Sequence, residues 1–382
     1  MKFLHMSDFH IGKIVHNVSM LNEQRHIFRQ IISYIQNEHP DAVVIAGDVY
    51  DRVVPSIEAM RVFDDFLTAL AHEDIAVMLI SGNHDSPERL SYASRLLIDK
   101  RLFLCGAFDG SVRKVTITDA YGEVNFWLLP FIKPSSVRGL FGEHEAESYS
   151  DALAAAIETA HIDYSGRNVL VSHQFYSKAG VALVRSESEV NPVGGLDAVD
   201  ASIIERFDYV ALGHLHGAQK VGAEHIRYAG SPLKYSFSEI RQTKSVILVE
   251  MNEKGNMTAK ALPLSPLHDM REIKGEIEKL MSDEVSSLAD KEDYLHVILT
   301  DEEEIIDPIG KVRSVYPNVM RLDFDNSRTR VNLSELNPDM CQTEQLSPYD
   351  LFCEFFLDVN GAAMSKEQER IVRELLERSV TE

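Results

Sequence analysis

Residues 77–86 read Val77-Met78-Leu79-Ile80-Ser81-Gly82-Asn83-His84-Asp85-Ser86. Four apolar residues run into a glycine, and an amide, an imidazole and a carboxylate follow at once. A short apolar run bounded by turn residues fits a buried strand. Each of the three polar groups can bind a metal ion or move a proton, although Gly-Asn and Asp-Ser are also ordinary turn chemistry. One such stretch decides nothing, but the pattern recurs. Lys2 to Met6 leads to Ser7-Asp8-Phe9-His10, and Ala42 to Ala46 leads to Gly47-Asp48. Asn168 to Val171 leads to Ser172-His173, and Tyr209 to Leu212 leads to Gly213-His214-Leu215-His216.

Helical periods separate several of these runs. Gln24 to Gln36 gathers Ile27, Ile31, Ile32 and Ile35 on one face. Ser56 to Ala71 gathers Ala59, Val62, Phe63, Phe66, Leu67 and Leu70, with Ser56 as N-cap. Alternating strands and helices predict an α/β core. Strands such as Ser245 to Met251 follow without long helices, so the sheet is expected to be mixed. Polar groups collected at strand C-terminal ends are the usual site geometry of layered α/β folds.

Length and composition fit this reading. The 382 residues suggest two or three domains, and 45% hydrophobic content supports a real core. The longest apolar runs are too short to span a bilayer, and the first ten residues lack the apolar stretch of a signal peptide, so a cytoplasmic location is expected. Cys105, Cys341 and Cys353 have no metal-type spacing and fit a reducing compartment. The net charge of −22 is the wrong sign for a chain that binds nucleic acid by charge alone. Residues 266–382 hold 27 acidic and 13 basic residues, a net of −14, against 33 and 25, a net of −8, before them. A metal site, local basic patches or a partner must then supply any positive field.

The chain changes character near Pro263-Leu264-Ser265-Pro266, which reads as a linker. Beyond it the pattern predicts a helix near Lys274 to Met281, a strand at Tyr294 to Leu299, a helix after Asp307 and a strand at Val319 to Phe324. The expected organisation is a core over 1–265, an α/β cap over 266–330, a linker over 331–345 and a helical tail over 346–382. In the tail, Ser347-Pro348 opens a helix carrying Leu351, Phe352, Phe355, Phe356 and Val359. Ser365 and Gln368 form a capping box for a second, carrying Ile371, Val372, Leu375 and Leu376.

The five strand ends together offer Asp8, His10, Asp48, Asn83, His173, His214 and His216. Mixed oxygen and nitrogen donors suit Mn, Fe or Zn better than Ca or Mg. Seven ligands exceed what one ion with a bound water needs, and suit two ions sharing a bridging carboxylate. If the chain stays extended at Asp8-x-His10 and His214-x-His216, both side chains of each pair point the same way.

In the order SDFH, AGDVYD, GNHD, SHQF and GHLH, these motifs resemble those of the calcineurin-like metallophosphoesterases. That resemblance implies an α/β fold in which two sheets form a sandwich flanked by helices, with two metals at one edge. MSDFHIGK, AGDVYDR, SGNHDSPERL, ALGHLHGAQ and YAGSPLKYSFSE sharpen the likeness, to the nuclease subunits of bacterial SbcCD-type complexes. It is strong to about residue 265 and lies more in layout than in motif beyond. The resemblance implies a Mn-dependent DNA nuclease with exonuclease and endonuclease action in DNA repair, recombination and replication. It also implies a homodimer working with an SbcC-type ATPase that carries a long coiled coil.

By family position, Asp8, His10, Asp48 and His216 look like ligands of one metal, and Asp48, Asn83, His173 and His214 like ligands of the other. His84 is implied as the catalytic group facing the phosphate. Asp51 is implied as its support, although Val53 stands where the related phosphatases have glycine. Asp85 is expected to bond local backbone, and Arg89 to touch DNA phosphate or sit solvated. Leu351, Phe352, Phe355, Phe356, Ile371 and Leu375 are the expected partner contacts. The Ile27, Ile31, Ile32 and Ile35 face is a candidate dimer surface, though a helix covering its own sheet would look the same. The alternatives are a phosphodiesterase or phosphatase acting on something other than DNA, and a metal-bound scaffold without catalysis.

Overall fold

The computed structural model describes residues 1–137, 148–189, 198–327, 329, 347–360 and 363–379. The expected linker, 331–345, lies outside the described residues. The first sheet begins with β1 (Lys2–Met6), β2 (Ala42–Ala46), β3 (Ala76–Ile80) and β4 (Leu102–Cys105), all parallel neighbours. The chain then builds a second sheet from β5 (Arg113–Asp119), β6 (Gly122–Leu129), β7 (Arg167–His173), β8 (Tyr209–Gly213), β9 (Gln219–Val221) and β10 (Ala223–Tyr228). It returns to the first sheet with β11 (Ser245–Met251) and β12 (Met257–Pro263), which pair antiparallel at the β1 edge. The two six-stranded orders are β12-β11-β1-β2-β3-β4 and β9-β10-β8-β7-β6-β5. Both sheets are mixed, as expected.

Period two explains why the central strands read as unbroken apolar runs, since both faces are buried. Val44 of β2, Val169 and Val171 of β7, and Tyr209 and Ala211 of β8 face the space between the sheets. Phe3 sits there edge-on to Phe126 and Tyr209, at 5.4 and 5.6 Å between ring centroids. Val43 and Ile45 face the other way, beneath α1 (Leu21–Glu38) and α2 (Ile57–His72). Leu170, Val210 and Leu212 turn outward beneath α3 (Tyr149–Thr159). Ser56 caps α2, accepting the Ala59 N–H at 3.1 Å.

The α1 face suggested for a dimer covers its own sheet instead. Ile27, Ile31 and Ile35 are buried in the core and Ile32 is half-buried. A helix apolar on one stripe satisfies either reading from sequence, and here the first sheet offered the nearer surface.

A third sheet of parallel strands, β13 (Met270–Gly275), β14 (Tyr294–Leu299) and β15 (Val319–Phe324), has its own core around Leu295, Val297, Leu299, Val312 and Tyr316. The helix expected near Lys274 to Met281 is confined to α4 (Ile277–Met281), because Lys274 and Gly275 pair in β13. α5 (Pro308–Arg313) follows Asp307, whose carboxylate accepts the Gly310 N–H at 3.1 Å. Buried Glu23 of α1 joins this unit to the sandwich, accepting His268 Nδ1 at 2.7 Å, the Leu267 N–H at 2.8 Å and the Tyr294 hydroxyl at 3.2 Å. The tail forms α6 (Pro348–Asn360) and α7 (Lys366–Ser379), and Ser365 and Gln368 make the expected capping box.

Candidate metal centre

The C-terminal ends of β1, β2 and β3 in one sheet and β7 and β8 in the other meet at one edge of the sandwich. Backbone bonds stitch the ends together, Asp8 N–H to Gly47 O and His10 N–H to Asp48 O, both at 3.0 Å. The chain is not extended at the motifs. Asp8, His10, Asp48 and His214 all have positive φ, at 53°, 44°, 51° and 109°. The alternation argument for Asp8-x-His10 and His214-x-His216 therefore does not apply, and left-handed turns aim these side chains. Non-glycine residues in that region carry strain, which clusters at functional sites. Two glycines allow the ends to close. A Cβ at Gly82 would lie 2.1 Å from Asp48 Oδ1, and one at Gly213 would lie 2.0 Å from the Ala46 carbonyl.

All seven expected ligands converge here. His10 Nε2 and His216 Nε2 are 3.1 Å apart. Asp48 Oδ2 lies 3.6 Å from His10 Nε2 and 3.3 Å from His173 Nε2, so one oxygen faces both halves of the cluster. Asn83 Oδ1 lies 3.1 Å from His173 Nε2 and 3.0 Å from His214 Nδ1. Asp8 accepts the His214 N–H at 2.9 Å and sits with His10 and His216 in one group whose ligand atoms are all within 4.8 Å of each other. A second such group is Asp8, Asp48 and His173, and a third is His10, Asp48 and His84.

Neighbours fix which ring nitrogens are bare. His173 Nδ1 donates to the Ala46 carbonyl at 2.7 Å, so in the neutral ring the Nε2 lone pair faces Asp48 and Asn83. His216 Nδ1 lies 2.6 Å from Ser188 Oγ, which itself donates to the Glu239 carboxylate. The serine must then accept from the ring, and His216 Nε2 is bare as well. His10 Nδ1 is buried without a hydrogen bond. Lone pairs thus point at lone pairs in an interior where Asp8, His10, Asp48, His173 and His216 are at most 2% exposed. Such an arrangement is stable only around positive charge.

Protons supply that charge poorly. Burial pushes His10 down to about 3, against help from Asp51 and Asp48. Burial and the neighbouring His173 hold His214 well below the usual imidazole value. Burial opposes protonation of His173 too, yet Asp48 and Asp8 raise it to about 9. Burial would raise Asp48, but the neighbouring His173 ring, by its charge and its hydrogen bond, holds it well below the usual carboxylate range. One proton excludes the next, whereas divalent ions satisfy several lone pairs at once. The donor set fits metal ions on these grounds.

His84 is half-buried at the mouth, its ring 4.7 Å from that of His10 between centroids. Asp51 supports it differently from the expectation. His84 Nδ1 bonds the Asp51 backbone carbonyl at 2.9 Å, while the Asp51 carboxylate pairs with Lys13 at 2.8 Å and faces His10 Nδ1 at 3.6 Å. The Lys13 ammonium occupies the carboxylate, and the His84 ring is left with the backbone carbonyl. Asp85 bonds backbone as expected, accepting the N–H groups of Val49, Tyr50 and Gly82 at 3.1, 2.9 and 2.9 Å. Burial and the nearby Asp48 charge push it up to about 6.

Arg89 is exposed and lines a surface hollow of about 350 Å³ with Tyr50, Met60, Leu90 and Tyr92, outside the ligand cluster. Phe352, Phe355, Ile371 and Leu375 are exposed on the tail, and Leu351 and Phe356 are half-buried. Sequence reasoning missed Ser188, Glu189, Glu239 and Lys244, which surround His216, and Tyr235, whose ring lies 5.8 Å from His10 and 6.0 Å from His216. Nothing in their spacing marks them, except that Tyr235 and Glu239 belong to YSFSE.

A profile of the calcineurin-like phosphoesterases matches residues 1–218, more than half of the chain, which belongs to that family. A second profile, described as the type 5 capsule protein repressor C-terminal domain, matches residues 266–360. Two bacterial relatives narrow the assignment. The SbcD component of the nuclease SbcCD from Staphylococcus epidermidis is 33% identical over 333 residues, 86% of this chain and 87% of that one. Its namesake from Staphylococcus saprophyticus is 31% identical over 391 residues, 99% of both chains. The chain is a member of this SbcD family. A dimetal phosphatase from Danio rerio superposes with a TM-score of 0.40 at 12% identity over 68% of this chain and 95% of that one, too loosely to add to the argument.

Proposed function

We propose that this chain is a two-metal nuclease that hydrolyses DNA phosphodiester bonds, as duplex exonuclease and structure-selective endonuclease, in complex with an SbcC-type ATPase. The single observation carrying the reading is Asp48 Oδ2, which faces His10 on one side and His173 on the other in a site of converging lone pairs. Asp8, His10, Asp48 and His216 would hold one ion, and Asp48, Asn83, His173 and His214 the other. Mixed donors of this kind suit Mn²⁺, Fe²⁺ or Zn²⁺, and the family resemblance favours Mn²⁺ among them. When bound, such a pair of ions neutralises the phosphodiester and activates a water.

The chain's own residues do the rest. His84 is fixed through Nδ1, which leaves Nε2 to face the substrate. There it stabilises charge on the phosphate and gives a proton to the leaving sugar oxygen as the bond to phosphorus breaks. Asp51 holds that ring by its carbonyl, and its carboxylate neutralises Lys13 and orients His10.

Exposed Val53, Met60 and Tyr92 line the hollow together with Arg89, and Val54, Ile57 and Leu96, near them in the chain, are exposed as well. So much apolar surface on one side fits burial against a second copy, and we assign the homodimer contact there rather than to α1. Arg89 would then lie at the rim, able to reach phosphate. The exposed aromatic stripe of α6, with Ile371 and Leu375 of α7, suits docking on the coiled coil of the ATPase. The activity fits DNA repair and recombination in the cytoplasm.

The test is Mn²⁺-dependent cleavage of linear and hairpin DNA, alone and with the ATPase partner, compared with a chromogenic phosphodiester. DNA turnover well above the small diester supports the nuclease. The reverse preference favours a small-molecule phosphodiesterase.

A further inference from the structure

Lys244 and Glu239 form a buried ion pair beside the metal centre, at 2.6 Å, with side chains 6% and 0% exposed. Removing two charges from water is costly, and an apolar pair of similar volume often does as well for stability. Their bonds explain the arrangement. Lys244 Nζ donates to Glu239 Oε2 at 2.6 Å, Gln242 Oε1 at 2.7 Å, the His216 carbonyl at 2.8 Å and Ser231 Oγ at 2.9 Å. The other carboxylate oxygen of Glu239 accepts Ser188 Oγ, Ser236 Oγ at 2.9 Å and the Tyr235 N–H at 3.3 Å. Ser188 Oγ in turn accepts the hydrogen bond of His216 Nδ1–H. Glu189 holds the His216 backbone N–H at 2.7 Å. Thus the carbonyl, the amide and one ring nitrogen of His216 are all engaged, and only Nε2 is left to turn inward.

His10, on the same side of the cluster, also has its amide and carbonyl engaged, by the Asp48 carbonyl and Gln24, but its Nδ1 has no hydrogen bond and only faces the Asp51 carboxylate at 3.6 Å. The Glu239 carboxylate is paired with the Lys244 ammonium and surrounded by donors, Ser188, Ser236 and the Tyr235 N–H, so it serves as an acceptor. A permanent acceptor keeps the Ser188 hydroxyl oriented, and the serine then has only a lone pair to offer the ring.

We infer that Lys244, acting through Glu239 and Ser188, is a positioning residue that fixes the tautomer and aim of His216 toward the ion it would share with Asp8 and His10. This rests on the two-metal reading above. Partners that orient a ligating histidine in this way typically change metal affinity by about 10–100-fold when removed.

The test is calorimetric titration of the full chain with Mn²⁺, together with the manganese electron paramagnetic resonance spectrum. The variants are Ser188→Ala, which cuts the ring from the relay but leaves the ion pair whole, Ser188→Thr, which keeps the hydroxyl, and Lys244→Met. The wild type should bind two ions and show a spin-coupled pair. Ser188→Ala and Lys244→Met should weaken one site about 10–100-fold, leave the other unchanged and convert the spectrum at low loading to that of isolated Mn²⁺. Ser188→Thr should restore the pair. If Lys244→Met does not fold, Ser188→Ala decides alone. Two ions bound by a folded Ser188→Ala as tightly as by the wild type, or both sites weakened alike, would overturn the inference. A wild type that binds fewer than two ions would overturn the two-metal reading itself.

Discussion

His296 and His173 both lie against acidic groups, and they differ in what matters for function. His296 lies in the third sheet, opposite Glu272 on β13. Its Nδ1 meets Glu272 at 3.1 Å and its Nε2 meets Asp323 at 2.8 Å, on carboxylates 39% and 42% exposed. Both carboxylates reach water, and both ring nitrogens have an acceptor. His173, at the edge of the sandwich, donates through one nitrogen to a carbonyl and turns the other toward the Asp48 carboxylate and the Asn83 amide oxygen, acceptors that draw a proton or a cation to it. Its surroundings are buried, four of the candidate ligand residues have strained backbone, and glycines clear the space. A satisfied cluster on regular strands reads as structure. An unsatisfied one held by strain reads as a site built for cations.

The largest effect should come from Asp48→Ala. A bridging carboxylate serves both ions and offsets their repulsion, so its loss should remove both ions and abolish hydrolysis, whereas His216→Ala should remove one. Metal analysis after gel filtration checks this, and equal losses in the two variants would show that Asp48 does not bridge. Next, His84→Ala should keep two ions and lose about 10²–10³ in turnover, the usual cost of removing a donor aimed at transition-state charge. Loss of an ion with it would put His84 in the ligand shell.

A smaller effect concerns pH. His5 of β1 is buried between the Tyr209 hydroxyl at 3.0 Å and the Leu212 carbonyl at 3.1 Å, and burial pushes it from 6.5 down to about 3. Between those values the unfolded chain binds a proton that the folded chain refuses. Its contribution to stability is therefore whole above 6.5 and is lost as pH falls toward 3, at no more than about 1.4 kcal/mol per pH unit. Denaturant midpoints measured from pH 7 to pH 5 should fall less steeply in His5→Gln than in the wild type. Parallel curves would contradict this. The smallest effect should be His296→Gln, costing at most about 1 kcal/mol because its partners are exposed, and leaving metal content and cleavage unchanged. A cleavage defect there would break the distinction between the two histidines.

Much of this site was legible in the sequence, because apolar strands ending in Gly-Asp, Gly-Asn-His and Gly-His state both burial and donor chemistry in consecutive residues. What surrounds the ligands was not. Ser188, Glu239 and Lys244 reach His216 across the fold, and a serine or a lysine in isolation carries no period or spacing. Asp51 was read by its side chain, yet it acts on His84 through its carbonyl, which every residue possesses. Ile27, Ile31 and Ile35 announced an apolar helix face without saying what covers it. The helix read at Lys274 gave way to a strand because pairing with Tyr294 to Leu299 overrode local propensity.

The central claim is that the bare nitrogens and shared carboxylate oxygen at the sandwich edge hold two ions side by side. A crystal soaked in Mn²⁺, with anomalous scattering collected at the manganese edge, tests it most directly. The account predicts two peaks roughly 3.5–4 Å apart, with Asp48 between them, Asp8, His10 and His216 on one, and Asn83, His173 and His214 on the other. A single peak, or a second peak outside this ligand set, would contradict it.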